Sequence, residues 1–184
     1  ASMKSEKRDA CRINCWTDKK IMKGILITAL FTLLVVATAP VFAEKSKSIN
    51  SSSYTIPLGD DISLQMTVAP FDAKKHKIKK CQILDWVGVC LIDGKPVFGT
   101  DWELPKNQLI KAVVKVGANT VNLDVSCMYN PWFGKPDPQA FTLEKVEGGY
   151  LLRGSFSDGA GSYEAEWFII QSSSVRTKLV NKEC

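Results

Sequence analysis

The chain has 184 residues, of which 45% are hydrophobic and 23% charged, a composition typical of globular proteins and unlike that of disordered or collagen-like chains. Residues 1–43 hold seven of the 24 lysines and arginines and three of the 19 acidic residues, so the rest of the chain is nearly neutral and gives no electrostatic indication of nucleic-acid binding. The single histidine, His76, excludes any site that needs two imidazoles.

The first predicted element is an export signal. Residues 24–43 form an uncharged run of 20, preceded by Lys23 and ending in Val-Phe-Ala. A basic start, a short apolar core and small residues before a cleavage point are typical of a secretory signal peptide. We expect an upstream extension or tag at 1–21, a signal peptide at 22–43 and a periplasmic mature protein. The alternative is an uncleaved inner-membrane anchor, since about 20 apolar residues can span a bilayer.

The next segment, residues 44–53, is polar and of low complexity, which predicts a flexible linker. Residues 54–184 are expected to form a single domain. Within it, apolar and polar residues alternate in several runs, which is the period of a half-buried strand. The alternating apolar positions are Ile62, Leu64, Met66 and Val68; Ile110, Ala112, Val114 and Val116; Val121, Leu123, Val125 and Cys127; and Tyr163, Ala165 and Trp167.

Clusters of glycine, asparagine and aspartate separate these runs and supply the backbone conformations of tight turns. They stand at Asp93-Gly94, 117–119, 147–149 and 158–161. We count ten or eleven candidate strands and no amphipathic helix after the leader. The pattern predicts an all-β fold, a hairpin-built antiparallel β-sandwich or barrel.

The densest charge cluster is residues 74–80, in which five lysines surround His76 and Ile78. Alternation would place Lys75, Lys77 and Lys79 on one face of a strand. Lysines on an edge strand prevent edge-to-edge pairing with a strand of another molecule, and the same cluster could instead attract an anionic partner. Both interpretations stay open. His76 is expected to be an exposed member of the cluster and not a catalyst.

Four cysteines follow the leader, and an even count in an oxidising compartment predicts two disulfides. Four cysteines allow three pairings, of which we favour the one with Cys81–Cys90, which closes a short loop between adjacent strands. The second predicted pair is Cys127–Cys184, which closes a long loop and ties the last residue to a central strand. No Cys-x2-Cys pair indicates a metal site, and no positioned base indicates a nucleophilic cysteine.

Two pairs of carboxylates are spaced to share a strand face: Asp101 with Glu103, and Glu164 with Glu166. Glycoside hydrolysis needs two carboxylates facing each other across a cleft, whereas a solvated strand face shows the same spacing. The chain has no Gly-x-Ser-x-Gly, no phosphate-binding glycine loop and no His-Glu-x-x-His. We expect no catalytic residue, no metal and no cofactor. A small carboxylate-dependent hydrolase is the alternative.

Residues 128–140 contain three prolines and are predicted to be a loop. Tyr129, Trp132 and Phe133 lie close together in it. Aromatics in a rigid loop are good binding anchors because their large area is ordered at low entropic cost. They are equally good plugs over the open end of a β-sandwich. We predict that these three aromatics contact a partner, and the plug stays open as the alternative.

Residues 128–132, 151–170 and 174–177 resemble small exported bacterial proteins that confer immunity to rival-cell toxins, such as periplasmic immunity proteins and lysozyme inhibitors. The loop DGAGSY at 158–163 is similar to the Ser-Gly-x-x-Tyr loop of periplasmic lysozyme inhibitors at its tyrosine, and it has Gly-Ala in place of Ser-Gly. The resemblance implies a non-enzymatic protein whose protruding loop plugs the cleft of a wall-degrading enzyme or toxin. The contacts expected from this loop are Asp158, Ser162 and Tyr163.

Taken together, these features predict a periplasmic, non-enzymatic binding protein that neutralises another protein, a toxin or an envelope enzyme. The alternative from another class is a small-ligand or glycan-binding β-barrel protein with its site at the barrel mouth. We expect no nucleic-acid partner and no membrane contact except through the signal peptide.

Overall fold

A computed structural model describes residues 50–83 and 85–182. The predicted extension, signal peptide, most of the linker and Cys184 lie outside the described residues. Those that are described form eleven strands and three short 3₁₀ turns, and all belong to one compact unit. This part of the chain contains no helix that is long and apolar enough to cross a membrane. The predicted all-β class is confirmed.

The strands follow one another in short hairpins. Their bounds are β1 Ser52–Gly59, β2 Ile62–Pro70, β3 Ile78–Ile83, β4 Trp86–Ile92, β5 Lys95–Pro96, β6 Asn107–Val116, β7 Asn119–Leu123, β8 Phe141–Val146, β9 Gly149–Phe156, β10 Tyr163–Ile170 and β11 Ser173–Asn181. The 3₁₀ turns are Ala73–Lys75, Pro138–Ala140 and Gly159–Gly161. Because β1 begins at Ser52, the first strand starts inside the segment that was predicted to be a linker.

Two four-stranded antiparallel sheets build the domain, with strand orders β1-β2-β6-β7 and β8-β9-β10-β11. They meet at both edges, where β7 contacts β11 and β1 contacts β8. A third antiparallel sheet, β3-β4-β5, is inserted between β2 and β6. Side chains of both four-stranded sheets form one hydrophobic core, so the architecture lies between a sandwich and a closed barrel.

Aromatic rings fill this core. Phe156 stacks on Tyr163 with ring centroids 5.2 Å apart, and it meets Phe141 and Trp167 edge-on at 5.4 and 6.1 Å. Trp167 and Tyr163 are 1% and 0% exposed. The polar atom of each of these two rings has a partner. The Trp167 Nε1–H donates to the carbonyl of Asp124 at 2.9 Å, and the Tyr163 hydroxyl donates to the carbonyl of Tyr129. Large aromatic side chains therefore supply much of the buried apolar area.

The predicted alternation is confirmed in β10, where Tyr163, Ala165 and Trp167 are all buried and the residues between them are partly exposed. The predicted turns also lie between strands. At Asp93-Gly94, both residues have positive φ, 53° and 76°, which is the geometry that two-residue hairpins require.

The predicted alternation is confirmed in β2, where Ile62, Leu64, Met66 and Val68 all lie in or against the core, but it is wrong in the middle of β6. Thr67 pairs with Lys111 and Val68 pairs with Leu109, so the register skips Ile110. This β-bulge reverses the phase of β6: Leu109 is 4% exposed while Ile110, predicted to be buried, is 46% exposed. In the next strand, β7 ends at Leu123, short of the predicted run to Cys127.

The Cys81–Cys90 disulfide is confirmed, and it links β3 to β4. The cysteines of the described part of the chain include no free thiol. The partner predicted for Cys127 is Cys184, which lies outside the described residues. Cys81–Cys90 is therefore the one predicted disulfide of which both cysteines lie among the described residues.

Replacing Cys81 and Cys90 together with serine is expected to lower the free energy of unfolding. The bond joins residues separated by nine positions. In the chain-entropy model, removing a disulfide that closes a loop of this length lowers the free energy of unfolding by about 2–3 kcal/mol. Urea unfolding of the double variant and the parent, followed by circular dichroism, measures the difference. Equal midpoints would show that the hairpin holds without its cross-link.

Candidate binding groove

Three connecting segments meet around a groove of about 260 Å³. Segment 99–106 links β5 to β6, segment 130–133 belongs to the loop between β7 and β8, and segment 157–161 joins β9 to β10. We call this hollow the three-loop groove. Its charged and apolar side chains are three acidic, one basic and two apolar: Asp101, Glu103, Asp158, Lys106, Leu104 and Phe133.

Asn130 holds two of the three segments together. Its Oδ1 accepts hydrogen bonds from the backbone N–H groups of Lys106 and Asn107 at 2.9 and 3.0 Å, and its Nδ2 donates to the carbonyl of Gly99 at 2.9 Å. Both ends of segment 99–106 are therefore attached to one side chain. Asn130 has a φ of 37°, a left-handed conformation that asparagine adopts more readily than most residues.

The third segment is attached to the second through the backbone. The N–H of Ser157 donates to the carbonyl of Pro131 at 2.8 Å. Gly161 is buried so closely against segment 99–106 that an added Cβ would lie 3.3 Å from backbone atoms of Thr100. All three walls of the groove are thus joined to one another by short contacts, and the groove is a preformed feature of the fold.

Phe133 and Asp158 are the predicted site residues that the structure brings together at the surface. Phe133 is 61% exposed, and Asp158 is exposed as well. Both also line a neighbouring hollow of about 160 Å³, on the side of Trp132 and Pro136. Phe133 therefore stands between two hollows as an exposed apolar ridge.

The other two aromatics of the loop have structural contacts. Trp132 is only partly exposed; it packs against the core and meets Tyr54 edge-on at 5.3 Å. Tyr129 packs edge-on against Phe71 at 5.6 Å, and burial, helped by the charge of Asp93, raises the pKa of its hydroxyl to about 12. The plug interpretation therefore describes Trp132 and Tyr129, whereas Phe133 has the exposed position that an anchor would need.

Tyr163 is wrong as a contact residue. It is 0% exposed, its hydroxyl donates to the carbonyl of Tyr129 at 3.1 Å, and burial raises the pKa of that hydroxyl well above its usual value. The reason is its position in β10, in phase with Ala165 and Trp167, which face the core. Ser162, one residue earlier, is partly exposed.

The two predicted carboxylate pairs lie in different surroundings. Asp101 and Glu103 line the three-loop groove. Glu164 and Glu166 instead form ion pairs on the second sheet, each at 2.9 Å, with Lys178 and Arg153. A hydrogen bond from Thr177 and then one from Arg153 lower the pKa of Glu166. These two carboxylates therefore act as links between neighbouring strands.

The lysine cluster is not the single strand that its alternation predicted. Residues 73–75 form a 3₁₀ turn, and β3 begins only at Ile78. His76 is half-buried, stacks on Phe71 at 4.7 Å and lies 2.6 Å from Asp93, Nδ1 to Oδ2. This contact, followed by the N–H of Lys77, lowers the pKa of Asp93. Lys79 and Lys80 lie on β3, the outer strand of its sheet.

Sequence reasoning missed a group of exposed apolar residues next to the groove. Trp86, Val87, Trp102 and Leu104 are between 43% and 57% exposed. Trp102 stands between the two carboxylates that had been singled out, in the sequence Asp-Trp-Glu. This sequence context could have indicated that Trp102 is exposed, because a tryptophan between two charged residues in an irregular segment does not belong to a strand face that packs on the core.

Within residues 50–83 and 85–182, no group of three or more histidine, cysteine, aspartate or glutamate side chains is placed to hold a metal ion. Comparison with known proteins gives no match: no family model fits the chain, and no curated protein or solved structure is significantly similar. The geometry of the groove is therefore the evidence from which function is inferred.

Proposed function

We propose that this chain is a periplasmic, non-enzymatic binding protein that neutralises another protein, a toxin or a wall-degrading enzyme of the cell envelope, by binding it at the three-loop groove. The observation that carries the proposal is Phe133, a large aromatic side chain that is 61% exposed on a loop held by proline and by the hydrogen bonds of Asn130. Exposed, rigid aromatics beside a hollow are the usual anchors of protein interfaces.

Preorganisation supports a protein partner. Binding loses affinity when flexible segments must be ordered. Here the three segments are already joined by Asn130, by the contact of Ser157 with Pro131 and by the close packing of Gly161. A partner that inserts a side chain beside Phe133 gains apolar contact with little ordering cost.

The interior of the domain supports the same choice over a ligand carrier. Phe156, Tyr163 and Trp167 fill the space between the two four-stranded sheets and are at most 2% exposed. A carrier that encloses its ligand needs an open interior, as in barrels that hold a small molecule. The three-loop groove is an open surface feature, which suits a protruding segment of another protein.

Replacing Phe133 with alanine is expected to weaken capture of the partner strongly without changing the melting temperature. Truncation of an anchor aromatic costs about 2 kcal/mol or more, or roughly 30-fold in affinity. The measurement is affinity capture from a native envelope fraction, followed by titration of the captured protein and an assay of its activity. Val175→Ala is the matched control, since Val175 is 60% exposed on β11 and does not line the groove.

Two results would oppose the proposal. Equal affinity of the Phe133→Ala variant and the parent would remove the groove as the site. A small molecule that co-purifies in place of a protein would favour the carrier. Trp132→Ala is not a suitable probe of binding, because Trp132 packs against Tyr54 and the core, so its loss destabilises the fold.

A further inference from the structure

Two tryptophans are paired at the surface beside the three-loop groove. Trp86 and Trp102 are 43% and 44% exposed, and their rings meet edge-on with centroids 6.2 Å apart. Their exposed neighbours in sequence, Val87 and Leu104, extend the apolar surface. Leu104 also lines the groove, two residues after Trp102, so segment 99–106 belongs both to the tryptophan pair and to the proposed binding site.

The backbone holds this pair in place. The N–H of Val89, in β4, donates to the carbonyl of Trp102 at 2.7 Å, which attaches segment 99–106 to the hairpin of β3 and β4. The Cys81–Cys90 disulfide cross-links that hairpin. Trp102 has a φ of 59°, a conformation that costs energy for a bulky residue and that persists only where the surroundings impose it.

The charged side chains next to Trp102 in the sequence are acidic. Asp101 and Glu103 flank Trp102, and both are exposed and line the groove together with Asp158. Lys106 is the only basic side chain among the described residues that line it. Of the lysines at 74–80, Lys79 and Lys80 lie on the hairpin that carries Trp86, where they pair with Leu91 and Val89 of β4. We call Trp86, Asp101, Trp102 and Glu103 the acidic tryptophan strip.

We infer that the acidic tryptophan strip binds a lysine- or arginine-bearing segment of the partner protein. A cation over the face of a tryptophan ring is attracted by the ring quadrupole, and the flanking carboxylates can accept charge-assisted hydrogen bonds from the same cation. An anionic envelope polymer would be repelled by these carboxylates. The inference rests on the proposed function and adds the chemistry of the partner's contact.

Selection from a phage-displayed library of random 12-residue peptides tests the inference, with the mature protein immobilised in its oxidised form. We expect the enriched peptides to be rich in lysine and arginine. Fluorescence polarisation of the most enriched peptide then measures affinity for two variants, Trp102→Ala and Asp101→Asn/Glu103→Gln. Each is expected to bind about tenfold more weakly, and the loss in the charge variant is expected to shrink as salt is raised.

Asp60→Asn/Asp61→Asn is the matched control, because both residues are exposed in the β1–β2 turn and the change in net charge is identical. Trp86→Ala is a second variant, which serves if Trp102→Ala lowers the melting temperature. Equal binding by the charge variant and its control would overturn the inference, as would enrichment of acidic or uncharged peptides, or of none.

The outcomes separate this inference from the proposed function. One outcome is a set of enriched peptides that lack basic residues and depend on Phe133 alone for binding. That result would overturn the inferred role of the acidic tryptophan strip but would support the groove as a protein-binding site. Binding to a glycan array that depends on Trp102 but not on Phe133 would show that the strip binds a saccharide and would overturn the inference of a basic protein segment. Loss of envelope capture in the Phe133→Ala variant is measured independently, so failure of one proposal does not hide the result of the other.

Discussion

The Gly99→Ala variant is expected to be less stable than the parent by about 4 kcal/mol or more, among the largest effects of a single substitution. Gly99 has a φ of 91°, in the region that favours glycine. An added Cβ would overlap the carbonyl group of Tyr129 and would lie 2.8 Å from the ring of Tyr163. Because neither the backbone nor a fully buried ring can move aside, one methyl group should separate the groove wall from the core.

Two other glycines provide graded controls for this variant. Gly94 also has a positive φ, 76°, but open space around its Cβ position, so Gly94→Ala should cost about 1 kcal/mol through backbone strain alone. Gly59 has neither a positive φ nor a neighbour within 4 Å, and Gly59→Ala should be nearly neutral. Urea unfolding ranks the three. A Gly99→Ala variant no less stable than Gly94→Ala would show that the contact of segment 99–106 with Tyr129 is not as close as described.

The second large effect is expected at Arg176, where replacement by alanine should cost about 2–4 kcal/mol. Its side chain is only 5% exposed, and burial lowers its pKa, opposed by the charge of Asp124. The guanidinium donates from Nη1 to the carbonyl of Ser126 at 2.7 Å and pairs through Nη2 with the Asp124 carboxylate at 3.0 Å. It thus joins β11 of one sheet to the segment that follows β7 of the other.

Lys178→Ala is the control for Arg176→Ala because it removes a cation from the same strand. Lys178 pairs with Glu164 at 2.9 Å, but the two side chains are 46% and 36% exposed, and exposed pairs contribute less than about 1 kcal/mol. Thermal unfolding of both variants decides. A similar loss of stability in the two variants would mean that the buried contacts of the Arg176 guanidinium contribute no more to stability than an exposed ion pair does.

The three-loop groove depends on the close contact at Gly99 and on the hydrogen bonds of Asn130. Gly99 lets segment 99–106 lie against Tyr129, and Asn130 attaches the ends of that segment to the loop that carries Phe133. The residues that we propose to bind a partner are thus supported by the core itself. A partner that binds there should raise the unfolding temperature, since a ligand that binds only the folded state stabilises it.

Local signals in the sequence were enough to predict the class of fold. The alternation in Tyr163, Ala165 and Trp167 reports a strand because side chains of a strand point to opposite faces with a period of two. The pair Asp93-Gly94 reports a hairpin because both residues tolerate positive φ. Cys81 and Cys90 are close enough in sequence for one hairpin to bring them together. Each of these signals depends on a few neighbouring residues.

The same reasoning failed where distant residues decide the outcome. Trp132 and Phe133 are adjacent and chemically alike, yet Tyr54 and the core cover one of them and leave the other 61% exposed. The phase of β6 changes at Ile110 because its pairing with β2 contains a bulge, and no feature of β6 alone reveals that register.

The sequence by itself therefore determined the all-β class and the positions of the turns and favoured the Cys81–Cys90 cross-link, because each depends on backbone preferences and spacing within one hairpin. Only the tertiary structure decided that Tyr163 belongs to the core, that Trp86 meets Trp102, and that Asp101, Phe133 and Asp158 share one groove. Those residues come from separate loops, and the contacts that bring them together depend on how two sheets close around one core.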